Sequence, residues 1–576
     1  MAIFSFDSSH LLGRVREVDT RRVSILADSD DDLRKARVGQ LVALRLAGAV
    51  DAWLIGIIER VMKQVGIQQG DGDDRQEDGL NSGNREGVVN TVQLTLVGTV
   101  RWDAKKQNNV FSRSLAQVPE IDAQCNVLLD KQLESFMNLL SIEGRSEHSL
   151  ELGYYTIDQN AKAFLDGNKL FQRHAALLGS TGSGKSWTVA AILERAARLP
   201  SSNLIVFDLH GEYRELSYAR HLRIPGPEEL GTSSEELLYL PYWLLNAEEM
   251  QAMFIDRSEF SAHNQVMAFQ DAVIEQKKVT LNQLGKKEVL AAFTLDSPIP
   301  FSIERVLNEL NDLNEEMEQG SRGLKQGKFF GQFSRLLTRI RSKLSDKRYG
   351  FLFQAPASEH EYESMARSAR QLMDYSTKGA NVKVIDFSEV PSDILPIIVG
   401  LVARMVYQVQ FWTDHDRRHP LAFVCDEAHL YLPKKEGQNP VERRAIETFE
   451  KIAKEGRKYG VALLIISQRP ADVSTTVLSQ CNNVIALRLT NADDQATVRR
   501  LMPESLENLM DALPILDIGE ALIVGDAVLL PSRIRIEPPS EHPLSATVDI
   551  WSEWRRTMSQ PDFVKSVENM RRQGRN

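Results

Sequence analysis

The residues of this sequence that are best suited to chemistry form a glycine-rich segment. They fit the pattern G-x-x-x-x-G-K-S and are Gly179, Ser180, Thr181, Gly182, Ser183, Gly184, Lys185 and Ser186. The glycines allow successive backbone N–H groups to turn toward an anion, and a following helix adds the positive end of its dipole. Lys185 is expected to reach the β- and γ-phosphates of a nucleotide, and the Ser186 hydroxyl is expected to bind Mg²⁺. The alternative is an ordinary glycine-rich turn.

The sequence on either side favours a phosphate-binding loop over such a turn. The apolar run Ala175–Leu178 indicates a buried strand before the segment, and residues 187–197 have a helical pattern after it. A strand, a glycine-rich loop and a helix in this order are the setting in which the motif binds phosphates. We therefore predict a binding site for ATP and Mg²⁺, with Trp187 beside the loop.

Two carboxylates form the second candidate set. Asp426 and Glu427 directly follow the apolar run Leu421–Cys425, so a buried strand would deliver both to its carboxyl end. Asp426 is expected to hold Mg²⁺ through water, and Glu427 to orient or deprotonate the attacking water. An Asp-Glu pair by itself is usually only solvated, but the phosphate loop makes the catalytic interpretation the favoured one.

Further candidates carry weaker signals. Asp208 and Glu212 follow the predicted strand 204–207, where either a ligand site or a polar turn would fit. Gln468 ends the predicted strand 461–467 and can sense a γ-phosphate or simply belong to a turn. Arg457 lies in a basic helical stretch. It can act as an arginine finger on a neighbouring subunit's nucleotide or belong to a solvated face, and both interpretations stay open.

The periodicity of apolar residues predicts an α/β chain in several parts. Short β-branched runs predict a small β-barrel. Alternating strands and helices, with the runs 484–489 and 521–524 among the strands, predict a largely parallel sheet of about seven strands, preceded by an edge segment at 154–157. A helical bundle interrupts this core. Four amphipathic helices are predicted in the bundle, with Ser302 as the N-cap of the third and with Phe330 and Phe333 on the fourth. Their apolar stripes favour core packing over a ligand groove. The predicted boundaries are 1–130 for the barrel, 131–245 and 351–530 for the core, 246–350 for the bundle and 531–576 for a C-terminal arm.

Composition restricts the class of protein. The 576 residues include 69 basic and 79 acidic side chains, so a DNA-binding surface must be local. Three scattered cysteines and the absence of a signal-peptide pattern or a 20-residue apolar run predict a cytoplasmic protein outside the membrane. The basic candidates for DNA contact, for which a solvated surface is the alternative, are residues 322–348, Lys434, Lys435, Arg443 and Arg444.

The segment 66–89 contains many Gly, Asp and Asn residues and almost no large apolar ones. This composition predicts a mobile hairpin loop, and a loop that a partner orders is the alternative.

The order of the motifs resembles the HerA ATPases of the FtsK/HerA superfamily. The matching segments, which follow a small barrel, are GSTGSGKS, DLHGEY, CDEAHLYLP, EGRKYG, SQRP and GEALIVGD. The resemblance implies a hexameric ring with a RecA-like core that translocates double-stranded DNA by hydrolysing ATP. The roles that it implies are ATPase residues for Lys185, Ser186, Asp426 and Glu427, proximity to the nucleotide for Asp208 and Glu212, a sensor for Gln468 and a trans arginine finger for Arg457.

The resemblance also implies partners. In such proteins the C-terminal arm braces a neighbouring subunit, and the barrel docks an effector such as a NurA-type nuclease or a sirtuin-like NAD-consuming enzyme. These effectors act in DNA end processing or in anti-phage defence. Two other hypotheses stay open beside the motor: a ring platform whose ATP controls the assembly of an effector, and, less favoured by the motifs, a protein-remodelling ATPase. The acidic segment 66–89 is not part of the family pattern.

Overall fold

The structure, a computed structural model, divides into two compact units. One contains Met1–Leu170 and Asn483–Glu537, and the other contains Phe171–Asn482 and Pro538–Asn576. The residues that the structure describes are 3–46, 52–67, 86–115, 117–320, 323–377, 379–434, 440–502, 504–545, 550–556 and 562–572. Most of the segment 66–89 and the side chains of Lys435 and Arg444 therefore lie outside the described part.

The strands of the described residues follow the runs of β-branched and aromatic side chains. They are β1 (Leu11–Asp19), β2 (Arg22–Leu26), β3 (Leu41–Arg45), β4 (Ala52–Ile67), β5 (Glu86–Asp103), β6 (Asn108–Ser112), β7 (Gln124–Val127), β8 (Ser149–Tyr155), β9 (Asp158–Asp166), β10 (Ala175–Leu178), β11 (Leu204–Asp208), β12 (Arg220–Arg223), β13 (Met317–Gly320), β14 (Gly323–Gln326), β15 (Val382–Asp386), β16 (Leu421–Cys425), β17 (Val461–Ser467), β18 (Asn483–Ala486), β19 (Glu520–Val524) and β20 (Ser532–Ile536).

The helices of the same residues, leaving short 3₁₀ turns aside, follow the spacings of three and four between apolar positions. They are α1 (Asp30–Leu33), α2 (Asp130–Gly144), α3 (Gly167–Gln172), α4 (Lys185–Ala197), α5 (Ala247–Phe254), α6 (Ala262–Gln283), α7 (Lys287–Ala292), α8 (Ile303–Glu315), α9 (Ser334–Ser345), α10 (Gly350–Phe353), α11 (Ser364–Met373), α12 (Leu395–Trp412), α13 (Pro440–Glu455), α14 (Thr475–Ser479), α15 (Ala492–Arg500), α16 (Ile550–Trp554) and α17 (Phe563–Arg572).

The first unit begins with the predicted small barrel. Its strand order is β2-β1-β7-β3-β4-β5, and pairing of β2 with β5 closes the cylinder. Alternate side chains such as Leu12, Val15 and Leu54 are completely buried inside it. β4 and β5 pair as far as Ile67 and Glu86, so the ends of the segment 66–89 belong to a paired hairpin. The predicted loop is therefore shorter than the segment.

The same unit contains a second sheet, which is antiparallel and includes strands that were predicted for the parallel core. Its order is β18-β19-β20-β8-β9, and every neighbouring pair is antiparallel. The runs 484–489 and 521–524 were expected in the parallel core, but their strands lie here. The segment 154–157 was expected at a sheet edge, whereas β8 is paired on both sides. Periodicity gives the existence of a strand but not its direction or its neighbours.

The second unit is built on a parallel sheet of order β12-β15-β11-β16-β17-β10. All seven residues of β17 and all five of β16 are buried, as expected for strands covered by helices on both faces. In parallel strands the carboxyl ends lie on one edge, so the ends of β10, β11, β16 and β17 meet there. The predicted α/β class is thus confirmed, although two of the strands predicted for the parallel sheet, at 484–489 and 521–524, do not belong to it.

Among the described residues, one helix, α12, is long and apolar enough to cross a membrane by length and composition, but 67% of its 18-residue window is buried within the protein. Its apolar character matches a core position, since it packs closely against α13.

Between β12 and β15 lie the helices of the predicted bundle, α5 to α9. Ser302 caps α8 as expected, because its hydroxyl accepts a hydrogen bond from the Arg305 N–H at 3.4 Å. Two differences appear. The hairpin of β13 and β14 interrupts the helices, and Phe330 precedes α9 instead of belonging to it. The sequence favours the hairpin over a longer helix, because two polar residues stand between glycines at positions 320 and 323.

Candidate nucleotide site

The glycine-rich segment forms the loop between β10 and α4, as the sequence predicted. Gly182 and Gly184 have φ angles of +71° and +100°, a conformation that a residue with a Cβ adopts only at a cost. Gly184 is the N-cap of α4, and its carbonyl accepts a bond from the Thr188 hydroxyl at 2.9 Å. The Gly179 N–H donates to the Ser467 carbonyl at 3.2 Å, which fixes the loop to the end of β17. The loop therefore presents the start of α4 at the carboxyl edge of the sheet.

Lys185 is a buried cation at the centre of the site. Only 8% of the residue is exposed, and its ammonium donates to the Ser180 carbonyl at 3.3 Å. Burial lowers the pKa of Lys185, while the carboxylates of Glu427, Asp426 and Glu212 act against that shift. One ammonium thus lies in the electrostatic field of three acidic side chains.

Asp426 lies at the end of β16, as predicted, and is held on several sides. Tyr213 donates its hydroxyl to Asp426 Oδ2 at 3.0 Å, and the Glu427 N–H donates to Oδ1 at 2.9 Å. The Tyr431 hydroxyl donates to the Asp426 carbonyl at 3.0 Å. Burial, followed by repulsion from Glu427 and Glu212, raises the pKa of Asp426 to about 8. A divalent cation beside this carboxylate would reverse that shift.

Glu427 has a strained backbone and an unsatisfied side chain. Its φ of +45° lies in the left-handed region, which is uncommon for a residue other than glycine. Burial raises the pKa of Glu427, and Lys185 opposes the change. Its Oε2 is buried without a hydrogen bond and lies 3.3 Å from His429 Nδ1. Because burial lowers the pKa of His429, this imidazole is neutral near pH 7 and leaves the carboxylate free to accept a proton.

The segment after β11 contributes two carboxylates with different surroundings. Asp208 is completely buried, and its oxygens accept N–H bonds from His210 at 3.2 Å and from Glu212 and Tyr213 at 3.0 Å each. This pattern organises the turn. Glu212 instead has a buried Oε2 without a hydrogen bond and adds to the negative field at Asp426 and Glu427. Of the two residues, Glu212 is the one directed at the site.

Gln468 follows β17 and connects the phosphate loop with the carboxylates. It accepts a 2.6 Å bond from the Thr181 hydroxyl and forms a hydrogen bond with Glu427. A change at the loop would therefore reach Glu427 through a single side chain. This is the position that a γ-phosphate sensor requires, whereas a simple turn residue would need neither contact.

Arg457 is the one predicted catalytic residue that does not reach this group. It is exposed in the turn Gly456–Tyr459, just before β17 begins, whereas the site lies where β17 ends. A seven-residue strand separates these two ends by roughly 20 Å at about 3.3 Å per residue.

Trp187 lies on the first turn of α4 and is 36% exposed. Its indole packs against the His542 ring in a tilted arrangement, with ring centroids 4.3 Å apart. Sequence patterns did not predict a role at the site for His542, Tyr213 or His429. Tyr213 and His429 belong to the segments DLHGEY and CDEAHLYLP and could have been included, whereas nothing near His542 in the sequence indicates a site.

Several of the basic residues predicted to contact DNA form ion pairs. Arg443 lies 3.3 Å from Glu447, Arg339 lies 2.8 Å from Glu259, and Lys325 lies 3.0 Å from Glu318. Lys434 is exposed. A solvated surface accounts for these pairs, so the geometry gives no further support to a DNA contact at the stretch 322–348.

The residues present fit Mg²⁺ as part of a nucleotide complex rather than alone. Among the described residues no three metal-ligating side chains form a cluster. Ser186 and Asp426 would supply protein oxygens, and phosphate and water oxygens would complete the octahedron, as is usual for this cation. Glu212 and Glu427 each have one buried carboxylate oxygen without a hydrogen bond, so the site has acceptor positions left for the groups that a bound nucleotide would bring.

Comparison with known families matches most of the chain. The model of the helicase HerA central domain matches residues 150–406, and that of the helicase HerA-like C-terminal domain matches residues 399–544. Together they cover well over half of the sequence, including the phosphate loop and both carboxylates of β16.

Individual relatives agree with this match. The DNA double-strand break repair helicase HerA of Pyrococcus furiosus is 24% identical over 84% of this chain and 82% of its own length. The protein of the same name from Saccharolobus solfataricus is 26% identical over 71% and 73%. Among solved structures, VirB4 of Thermoanaerobacter pseudethanolicus is 18% identical and aligns over 68% of this chain and 97% of its own, with a TM-score of 0.45.

Proposed function

Because the chain belongs to the family of HerA/FtsK-type ATPases, we propose that it is a hexameric motor that translocates along double-stranded DNA. ATP hydrolysis at the phosphate loop supplies the energy, and the protein acts on DNA in the cytoplasm. The single observation that carries the ring is the position of Arg457. Since a strand length separates it from the site of its own chain, an arginine finger at this position must serve a neighbouring subunit.

The chain's own residues divide the work of hydrolysis. The N–H groups of the loop and the Lys185 ammonium bind the phosphates, and Mg²⁺ held by Ser186 and Asp426 would neutralise charge on them. Glu427, whose pKa is raised by burial, accepts a proton from the attacking water. Gln468 transmits the state of the loop to Glu427 through its bonds to Thr181 and Glu427.

An exposed aromatic surface beside Arg457 supports assembly. Trp412 is 80% exposed and Phe411 is 38% exposed at the end of α12. Phe411 contacts the ring of Tyr459 at 5.1 Å, only two residues after Arg457. Large exposed aromatic side chains of this type are typical anchors of protein interfaces. A neighbour that buries this surface would receive Arg457 at its nucleotide.

A partner effector is part of the proposal. We place a nuclease or a sirtuin-like enzyme on the barrel, with a role in DNA processing or anti-phage defence. Support comes from Val38, Val118 and Ile121, aliphatic side chains of the barrel segment that are each at least half exposed. The alternative of an ATP-controlled platform would use the same docking surface without translocation.

The test is ATPase rate with and without linear duplex DNA, measured together with the mass of the particle in solution. We expect a six-subunit ring whose hydrolysis rises with DNA and disappears in Lys185→Ala, because that ammonium binds the phosphates. A ring that hydrolyses ATP at the same rate with and without DNA would contradict the motor and favour the platform.

Arg457 is tested by mixing subunits. Arg457→Ala is expected to retain ATP binding and lose about 10³-fold in kcat, and mixing it with Lys185→Ala subunits is expected to restore part of the activity. In such mixed rings an intact site meets an intact arginine. Lys458→Ala, an exposed neighbour, is the matched control. If the ATPase rate of the mixture does not exceed the sum of the rates of the two variants alone, Arg457 does not act as an arginine finger in trans.

A further inference from the structure

Residues 540–544, here named the strap, lie against the nucleotide-binding part of their own chain. The Ser540 N–H donates to the Glu194 carboxylate of α4 at 2.6 Å. Farther along, the Leu544 N–H donates to the Glu212 carbonyl at 2.7 Å. The strap therefore spans from the helix that follows the phosphate loop to the segment that carries Glu212.

Two carboxylates hold the strap in this position. Glu194 also binds Arg198 at 2.6 Å, and it is only 9% exposed. Glu541 of the strap accepts the Ser217 N–H at 2.6 Å and also binds the Ser217 hydroxyl. Charge-assisted bonds at the first two residues of the strap and a backbone bond at Leu544 fix its path at both ends. An arm that only docked on a neighbour would need none of these contacts with its own chain.

His542 lies at the middle of the strap, above the first turn of α4. Its imidazole packs against the Trp187 indole in a tilted arrangement, with ring centroids 4.3 Å apart and an angle of 36° between the rings. Trp187 directly follows Lys185 and Ser186, the residues for the phosphates and Mg²⁺, and about a third of it remains exposed. A nucleotide on the loop has its base just beyond its α-phosphate. Trp187 is the aromatic residue nearest to the loop in sequence, and His542 contacts its ring.

We propose that Trp187 and His542 together form the wall on which the base of ATP stacks, so that the strap completes the nucleotide site of its own chain. The inference rests on ATP binding at the phosphate loop. Stacking on an aromatic ring depends on ring area, so the wall favours purines over pyrimidines. His542 is a binding residue of this subsite, whereas Glu194 and Glu541 position it.

The experiment compares ligands with and without a base. Binding of ATP, CTP and inorganic tripolyphosphate, each with Mg²⁺, is measured on the intact protein and on His542→Ala. We expect the substitution to weaken ATP about fivefold, the lower end of a base–aromatic stack, and to reduce the preference of ATP over CTP. Tripolyphosphate has no base, so its affinity is expected to stay within about twofold of the wild-type value.

Two further variants keep the test sharp. His542→Phe preserves a ring and is expected to retain ATP affinity, while His415→Ala removes an exposed histidine elsewhere in the unit and serves as the control. Equal losses for ATP and tripolyphosphate would overturn the inference, because the strap would then act on the loop and not on the base. Unchanged ATP affinity in His542→Ala would overturn it as well. Wild-type protein that binds no ATP would instead refute the ATPase itself.

Discussion

Two regions of the ATPase unit differ in whether their buried charged groups have hydrogen-bond partners. At the junction of α5 and α12, Arg404 binds both oxygens of Glu249 at 2.9 and 2.7 Å and also donates to the Leu244 carbonyl at 2.8 Å. Glu249 closes a capping box with Asn246 as well. At the nucleotide site, by contrast, buried oxygens of Glu212 and Glu427 have no hydrogen bond.

The difference shows which region is complete without a ligand. An unsatisfied buried polar group costs about 1–3 kcal/mol, so a protein retains it only where something else is gained. The junction needs no ligand because each charge already has its partners. The nucleotide site concentrates three carboxylates around one ammonium. Mg²⁺ bound beside these carboxylates would offset part of their mutual repulsion, and the unsatisfied oxygens identify the site without reference to any relative.

The largest effect is expected from Glu427→Gln at the nucleotide site. This substitution removes the charge of one unsatisfied carboxylate and keeps the shape of the side chain. We expect kcat for ATP to fall about 10²–10⁴-fold, because the proton acceptor for water is lost. We expect the midpoint of thermal unfolding to stay the same or rise, since repulsion with Asp426 is relieved. Glu275→Gln, on α6 and paired only with Lys278 at its surface, is the control for both measurements. A variant with normal kcat would refute the assigned role.

The satisfied region is tested by Arg404→Met. Glu249 would keep its charge, 4% exposed, without a cation, and we expect a loss of about 3–5 kcal/mol in the free energy of unfolding. The measurement is urea unfolding of the variant and of Arg404→Met/Glu249→Met, in which both charges are gone. The double variant is expected to recover much of the stability. If the single variant is as stable as the wild type, the pairing of Glu249 with Arg404 does not stabilise the junction as its geometry indicates.

A smaller effect concerns Lys383, a third buried charge, which lies on β15 and is completely inaccessible. It binds the Asp374 carbonyl at 3.0 Å and the Asn203 side chain. Burial lowers the pKa of Lys383 to about 7, against about 10.5 in the unfolded chain. Between these values the unfolded chain holds more protons, so stability increases with pH, by at most about 1.4 kcal/mol per pH unit.

Lys383→Met is expected to remove that increase. The measurement is the urea midpoint at pH 7 and at pH 9 for the wild type and the variant. Lys278→Met, at an exposed pair, is the control and is expected to keep the wild-type difference. A variant that shows the same rise as the wild type would mean that other groups produce it.

The sequence predicted the parts of the site that local patterns encode. The phosphate loop, the pair Asp426 and Glu427, and Gln468 each end an apolar run, and parallel strands bring such ends together. Local patterns could not give the direction of β18 and β19, because antiparallel and parallel strands share the same period. They also missed β12, whose sequence RHLR looks like a polar turn until β15 pairs with it.

The strap was the largest omission at the site. Residues 540–544 lie after two prolines in a polar tail, a composition that predicts no regular structure. Their position follows from contacts with Glu194 and Ser217, more than three hundred residues earlier in the chain. Such contacts leave no trace in a local window of sequence.

The first unit is discontinuous, and this has a consequence for the order of events during synthesis. β8 receives its partner β20 only when the ribosome has made the residues near 536, and the Thr156 hydroxyl meets the Arg533 carbonyl across 377 positions. Until then the hairpin of β8 and β9 has an open edge, the kind of surface on which strands of other chains add. The nascent protein therefore carries this unpaired edge through most of its synthesis, and a chaperone that covers the edge would protect it.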